Sequence, residues 1–182
     1  MSQTAQRIGQ TGRQQAKGRR RTDAVIAVRR ATIDDVPALV RFNVALARET
    51  EHRELSPPNV GAGVKALFNR PAYGFYLVAE VGTTTVGGLM ITFEWSDWRN
   101  GVYWWVQSVY VEPAYRRRGV YRALYAKVRD LAAADRTVCG FRLYVEKNNA
   151  VAQTTYRRLG MAETPYRLFE EQFRSNEELT RP

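Results

Sequence analysis

Ser108-Val-Tyr-Val-Glu-Pro-Ala-Tyr-Arg-Arg-Arg-Gly119 decides how this chain folds. β-Branched and aromatic residues run as a strand to Pro113, a basic turn follows, and Gly119 closes it. Beyond the glycine, Val120, Ala123, Leu124, Val128 and Leu131 recur at helical spacing, so a helix is expected from Val120 to Leu131. A basic, glycine-closed turn that opens a helix is an arrangement for holding phosphate. The first N–H groups of the helix have no partner inside it, and the macrodipole adds partial positive charge at the same end. Arg116, Arg117, Arg118 and Arg122 bring full charges there. The backbone N–H groups from Arg118 through Gly119 and Val120 to Tyr121 are therefore candidates to cradle a pyrophosphate. No Gly-Lys-Ser/Thr follows and no Gly-x-Gly-x-x-Gly is present, which excludes the P-loop and the dinucleotide fingerprint.

Working outward, a short apolar strand is expected from Ala24 to Arg29, then a capping box with Thr32 as N-cap and Asp35 three residues on. A helix follows with Val36, Leu39, Val40, Val44 and Ala47 on one face. Ser56-Pro57-Pro58 breaks the chain, and a second short helix is expected from Val60 to Phe68. Phe75–Val81 and Val86–Trp95 read as two strands around the Gly82-Thr-Thr turn, and Val102–Val111 as a fourth strand after Asn100-Gly101. Downstream, Cys139–Val145 reads as a strand, Ala150–Leu159 as a helix and Arg167–Phe173 as a closing strand. The order β-α-α-β-β-β-α-β-α-β gives the α/β class, a mixed sheet with helices on both faces.

Two motifs carry a family resemblance. Arg116-Arg117-Arg118-Gly119-Val120-Tyr121 is similar to the Arg/Gln-x-x-Gly-x-Gly/Ala signature of the GCN5-related N-acetyltransferases (GNAT), except that tyrosine replaces the last small residue. Thirty residues beyond Gly119 the chain resembles the family again: Asn149, Ala152 three on, Tyr156 four further and Gly160 four beyond. The resemblance extends more weakly from Val25 to Phe173. It implies the GNAT fold, with a mixed, mostly antiparallel sheet whose strands four and five splay apart to admit acetyl-CoA. Backbone groups near Val109, Tyr110 and Val111 would then be free for the pantetheine arm and the thioester oxygen. Asn149 would bond the same arm, cap its helix, or both. Tyr156 would be the general acid that protonates the departing thiolate, and a phenol keeps its proton at neutral pH. Tyr121 either points away from the phosphates or narrows their cradle.

The acceptor side is less determined. Phe93-Glu94-Trp-Ser-Asp-Trp98 and Trp104-Trp-Val-Gln-Ser108 are similar to polyamine acetyltransferases of the family, whose strand-four glutamate falls at Gln107 here. Glutamine takes no proton, so Glu94 acting through water is the favoured base, with Asp97 beside it. Glu49 and Glu51, ending the first helix, are expected at the acceptor mouth. Trp95, Trp98, Trp104 and Trp105 cluster so closely that most serve packing, yet one beside Glu94 and Asp97 would suit an ammonium. The expected enzyme transfers acetyl to a small polyamine-like or amino-acid-derived primary amine by direct attack in a ternary complex. A protein N-terminal or lysine acetyltransferase, or a silent acyl-CoA-binding module, remains open.

Composition limits the rest. The 182 residues suit one domain, expected over 25–182, after a disordered basic tail over 1–24. That tail holds Arg7, Arg13, Lys17, Arg19, Arg20 and Arg21 against Asp23, half of the net +10. No reading helix or RNA motif accompanies it, so nucleic acid is not the expected partner. One cysteine, Cys139, and one histidine, His52, give no basis for a disulfide or a zinc site. Cys139 is expected to be a small buried strand residue in a reducing, cytoplasmic setting. No apolar run is long enough for a membrane span. A homodimer is an available state by analogy with similar folds.

Overall fold

The computed structural model describes residues 25–173. The expectations of a disordered tail over 1–24 and of a domain end at 182 lie outside the described residues. Strands β1 (Ile26–Arg30), β2 (Gly74–Val81), β3 (Thr84–Ser96), β4 (Gly101–Val111) and β5 (Val138–Arg142) form one sheet in sequential order. The first three pairings are antiparallel and β4–β5 is parallel. Helices α1 (Val36–Glu51) and α2 (Pro57–Phe68) cover one face, α3 (Val120–Ala133) covers the other, and α4 (Ala150–Arg158) follows β5.

Helical periodicity builds both cores. Val120, Leu124 and Val128 of α3 are at most 2% exposed and pack on Leu77, Ala79, Leu89, Ile91, Trp104 and Val106. On the opposite face, Val36, Leu39 and Phe42 of α1 pack with Val64 of α2 against Tyr76, Val78 and Tyr110. The start of α1 is tied to the sheet by Asp35. Its carboxylate accepts from the Thr32 N–H at 2.7 Å and from Arg29 at 2.7 and 2.9 Å, while Arg29 also donates to Glu80 at 2.6 Å.

Three expectations are corrected. Pro57 and Pro58 begin α2 instead of preceding it, because the first helical turn needs no N–H from them. Residues 167–173 form no strand, and Leu168, Phe169 and Phe173 are exposed. Glu170-Glu171 interrupts the alternation there, and β5, at five residues, offers little edge to extend. Cys139 is exposed instead of buried, since its position on this edge strand faces outward.

One irregularity sets up the site. Gly88 pairs with Tyr110 but Met90 with Gln107, so Ser108 and Val109 together oppose Leu89. Ser108 takes a positive φ of 49°, the mark of a bulge. The extra residue switches the side-chain parity of β4. Trp104 and Val106 face α3 before the bulge, whereas Tyr110 faces α1 after it.

Candidate active site

The site grows from the place where β4 and β5 part. Their parallel pairing ends at Trp105 with Arg142, yet β4 continues to Val111, and the far edges stand 17 Å apart. The β4 backbone from 106 to 111 therefore has no β5 partner on that edge, which leaves Val109, Tyr110 and Val111 lining the opening. Among them the Val111 carbonyl is occupied, accepting from Arg116 Nε at 2.8 Å.

At the foot of the opening lies the turn read from sequence. Gly119 is the N-cap of α3 at φ 88°, a conformation that favours glycine. A Cβ placed there would meet only Arg122 Nη2, at 3.6 Å, so the backbone is approachable and Arg122 is the arginine lying over it. Arg116 is held elsewhere. It bridges to Glu49 on α1 at 2.7 Å and stacks near the Tyr110 ring. Arg118 lies over the Tyr115 ring, and Arg117 takes a positive φ of 62° in the turn itself.

Tyr121 points into the body of the protein. Its ring stacks on Tyr125 with centroids 6.1 Å apart and meets Tyr156 edge-on at 5.8 Å. Its side chain thus turns away from the Gly119 turn, resolving the alternative that the sequence left open. Tyr156 is half-buried on α4, and burial pushes its phenol above the ordinary tyrosine value, so it is protonated at neutral pH. Asn149 caps that helix by accepting from Ala152 N–H at 3.0 Å.

On the α1/α2 face beyond the helices, β3 and β4 present Thr92, Glu94, Trp105 and Gln107, joined by Arg142 and Tyr144. Glu94 accepts from the Trp105 indole N–H and from Arg142, which stacks on Tyr103 at 3.9 Å. Gln107 donates to Thr92 Oγ1 and accepts from the Tyr144 hydroxyl at 3.2 Å. Trp105 and Tyr144 rings lie 5.8 Å apart. Strand alternation puts Trp95 on the opposite face from Glu94, and Trp104 is buried in the core. Asp97 caps the short turn at the hairpin tip through the Trp98 N–H, and Trp98 is exposed there.

Glu49 and Glu51 do come together with Asn149. They line an open cleft of about 460 Å³ with Thr50, His52, Glu146 and Asn148. His52 and Glu146 were not singled out from the sequence as site residues. They come from the end of α1 and the loop before α4, segments remote in sequence that only the fold brings together.

The Acetyltransferase (GNAT) family model matches residues 41–161. A possible acetyltransferase from Clostridium difficile 630 is 41% identical over 82% of this chain and 99% of its own, with a TM-score of 0.76. The chain belongs to the GNAT acetyltransferase family. Other structures similar to this acetyltransferase include an integron cassette protein from the mobile metagenome of Cole Harbour Salt Marsh. It is 26% identical over 81% of this chain and 91% of that one, with a TM-score of 0.71. A predicted acetyltransferase with acetyl-CoA from Clostridium acetobutylicum shares the fold at 17% identity, covering 81% and 96% of the two chains with a TM-score of 0.67. No curated protein matches significantly. Among the described residues no helix is long and apolar enough to cross a membrane.

The enzyme is an N-acetyltransferase of the GNAT type, and its acetyl donor is acetyl-CoA. The open approach over Gly119, the first-turn N–H groups of α3, which as in any helix have no partner within it, and the β4 edge beyond its pairing with β5 fit a pyrophosphate joined to an extended amide-bearing arm. Bound there, acetyl-CoA supplies an acyl carbon activated as a thioester.

Proposed function

We propose that this acetyltransferase acetylates a primary amine of a small polyamine-like or amino-acid-derived molecule, by direct attack in a ternary complex. The observation that carries the reading is the cleft where Glu49, Glu51 and Glu146 meet Asn149, at the start of the helix bearing Tyr156. Glu49 is taken up by Arg116 and Tyr110, so Glu146, and Glu51 at 3.6 Å from Arg53, are the carboxylates that favour a cation there, and Asn149 lines the same cleft.

In this reading Gly119, Val120, Tyr121 and Arg122 hold the pyrophosphate through backbone N–H groups and one guanidinium, with Arg117 and Arg118 adding charge to the turn. Val109 and Val111 offer backbone groups, and Asn149 adds its amide. Glu94 uses two of its lone pairs on Trp105 and Arg142; the others remain for an acceptor N–H or a bridging water. The amine proton leaves by that water. Trp105 supplies an aromatic face to the acceptor, Gln107 fixes the wall by bonding Thr92 and Tyr144, and Tyr156 returns a proton to the leaving sulfur.

The test is a panel of polyamines, amino acids, arylamines and N-terminal peptides with acetyl-CoA, followed by mass spectrometry of the products. Turnover of small cationic amines that drops about 100-fold or more in Tyr156→Phe supports the reading. Turnover confined to peptides, or to none of the panel, contradicts it.

A further inference from the structure

Tyr121 holds a hydroxyl that is fully enclosed and has no hydrogen-bond partner, the only such side-chain atom among the described residues. An enclosed, unpaired hydroxyl costs stability, and phenylalanine would fill the same space without that cost. The ring beside it belongs to Tyr156, met edge-on at 5.8 Å. Tyr156 in turn is held on α4, whose start is fixed by the Asn149 cap. Burial above all pushes the Tyr121 phenol far above its ordinary value, and the neighbouring Tyr156 and Tyr125 add to that rise. Tyr125 completes the stack from α3, and no charged side chain contributes to the displacement of Tyr156, whose cause is burial alone.

We propose that Tyr121 is a positioning residue for Tyr156: its ring fixes the Tyr156 ring, and its hydroxyl, which bonds neither Tyr156 nor any other group in the resting structure, turns to donate to the Tyr156 oxygen once that oxygen has lost its proton. This rests on the reading of Tyr156 as general acid. Tyr156 gives its proton to the sulfur that leaves with the C–S electron pair as the C–N bond forms. The proton released by the amine passes to solvent, and solvent returns one to Tyr156. Between those events a phenolate stands in a half-buried place. A neighbouring O–H with no other commitment is the donor it needs. The tyrosine that departs from the family's small residue at this position thereby acquires a role in the transfer.

Tyr121→Phe removes only the hydroxyl. Its melting temperature is expected to equal or exceed that of the parent, and acetyl-CoA affinity by calorimetry to stay within about twofold. The value of kcat is expected to fall roughly tenfold to a hundredfold, the span of a hydrogen bond to a charged oxygen. With tyrosine labelled at Cζ, the Tyr156 carbon signal is expected to begin its alkaline shift at higher pH in Tyr121→Phe, because the phenolate has lost a donor. In a Tyr156→Phe background, Tyr121→Phe is expected to change kcat no further. An unchanged kcat, a loss that persists in that background, or an unmoved Tyr156 titration overturns the proposal. Wild-type kcat in Tyr156→Phe alone overturns the general-acid reading instead, and the carbon titration then still reports whether the two phenols are bonded.

Discussion

Asp35→Ala removes the group that joins three elements at one point. The Asp35 side chain is 6% exposed and accepts from Thr32 N–H and twice from Arg29, whose own side chain is 40% exposed. Breaking a fully buried ion pair from one side costs about 3–5 kcal/mol. Here Arg29 keeps solvent and Glu80, so that figure is discounted; the orphaned Thr32 N–H adds back part, giving about 2–3 kcal/mol. For a chain of this size the melting temperature is expected to drop by roughly 4–12 °C at pH 7. Asp35→Asn, which keeps an acceptor for Thr32, is expected to fall between variant and parent. Burial pushes the Asp35 carboxyl up, but hydrogen bonds and charge from Arg29 and Thr32 outweigh it and hold it below the ordinary value near 3.8. A depressed carboxyl contributes its stability in full above the unfolded-state value and loses it as pH falls through the folded one. The gap between parent and Asp35→Ala is therefore expected to be constant above about pH 5 and to shrink below about pH 4. Melts by circular dichroism from pH 7 to pH 3 measure it. Equal melting temperatures at pH 7, or a gap that widens in acid, would refute the reasoning.

Gly87→Ala would put a Cβ 2.8 Å from the Tyr110 carbonyl and 3.3 Å from both Val111 and Val120, where β4 and α3 both approach the opening. It is expected to cost about 1–3 kcal/mol in thermal melts and to weaken acetyl-CoA binding. Arg122→Ala is expected to weaken acetyl-CoA roughly tenfold and flatten its salt dependence. Arg116→Ala, whose guanidinium is committed to Glu49 and Val111, is expected to change affinity far less; calorimetry at two salt concentrations separates the pair. Glu94→Gln frees Arg142 and is expected to lower kcat/KM for the amine roughly tenfold while acetyl-CoA affinity stays unchanged.

The elements were legible where local chemistry is decisive. Gly119 and the arginine turn announced the start of α3, and the spacing of Val120, Leu124 and Val128 gave its buried face directly. Alternation located β2, β3 and β4 to within two residues at each end. What the sequence did not carry was long-range. The bulge at Ser108 and Val109 has no local signature, since serine in a strand predicts nothing about register. The direction of Tyr121 depended on Tyr125 and Tyr156, one of them in a helix 30 residues beyond its own turn. Glu94 read as a base acting through water, with no sign of the ion pair it makes, because Arg142 arrives from β5. Residues 167–173 looked strand-like in composition, but pairing is a property of the edge offered to them, and β5 offers little.

The α3 turn and the β4–β5 opening together are where acetyl-CoA is expected to bind. Calorimetric titration of acetyl-CoA into the wild-type protein and into Gly119→Glu tests that most directly, because the substitution sets a carboxylate where the pyrophosphate would lie. Saturable one-to-one binding in wild type that is lost in Gly119→Glu, with a folded variant by circular dichroism, is the predicted result. Equal binding by both proteins, or none by wild type, would contradict it.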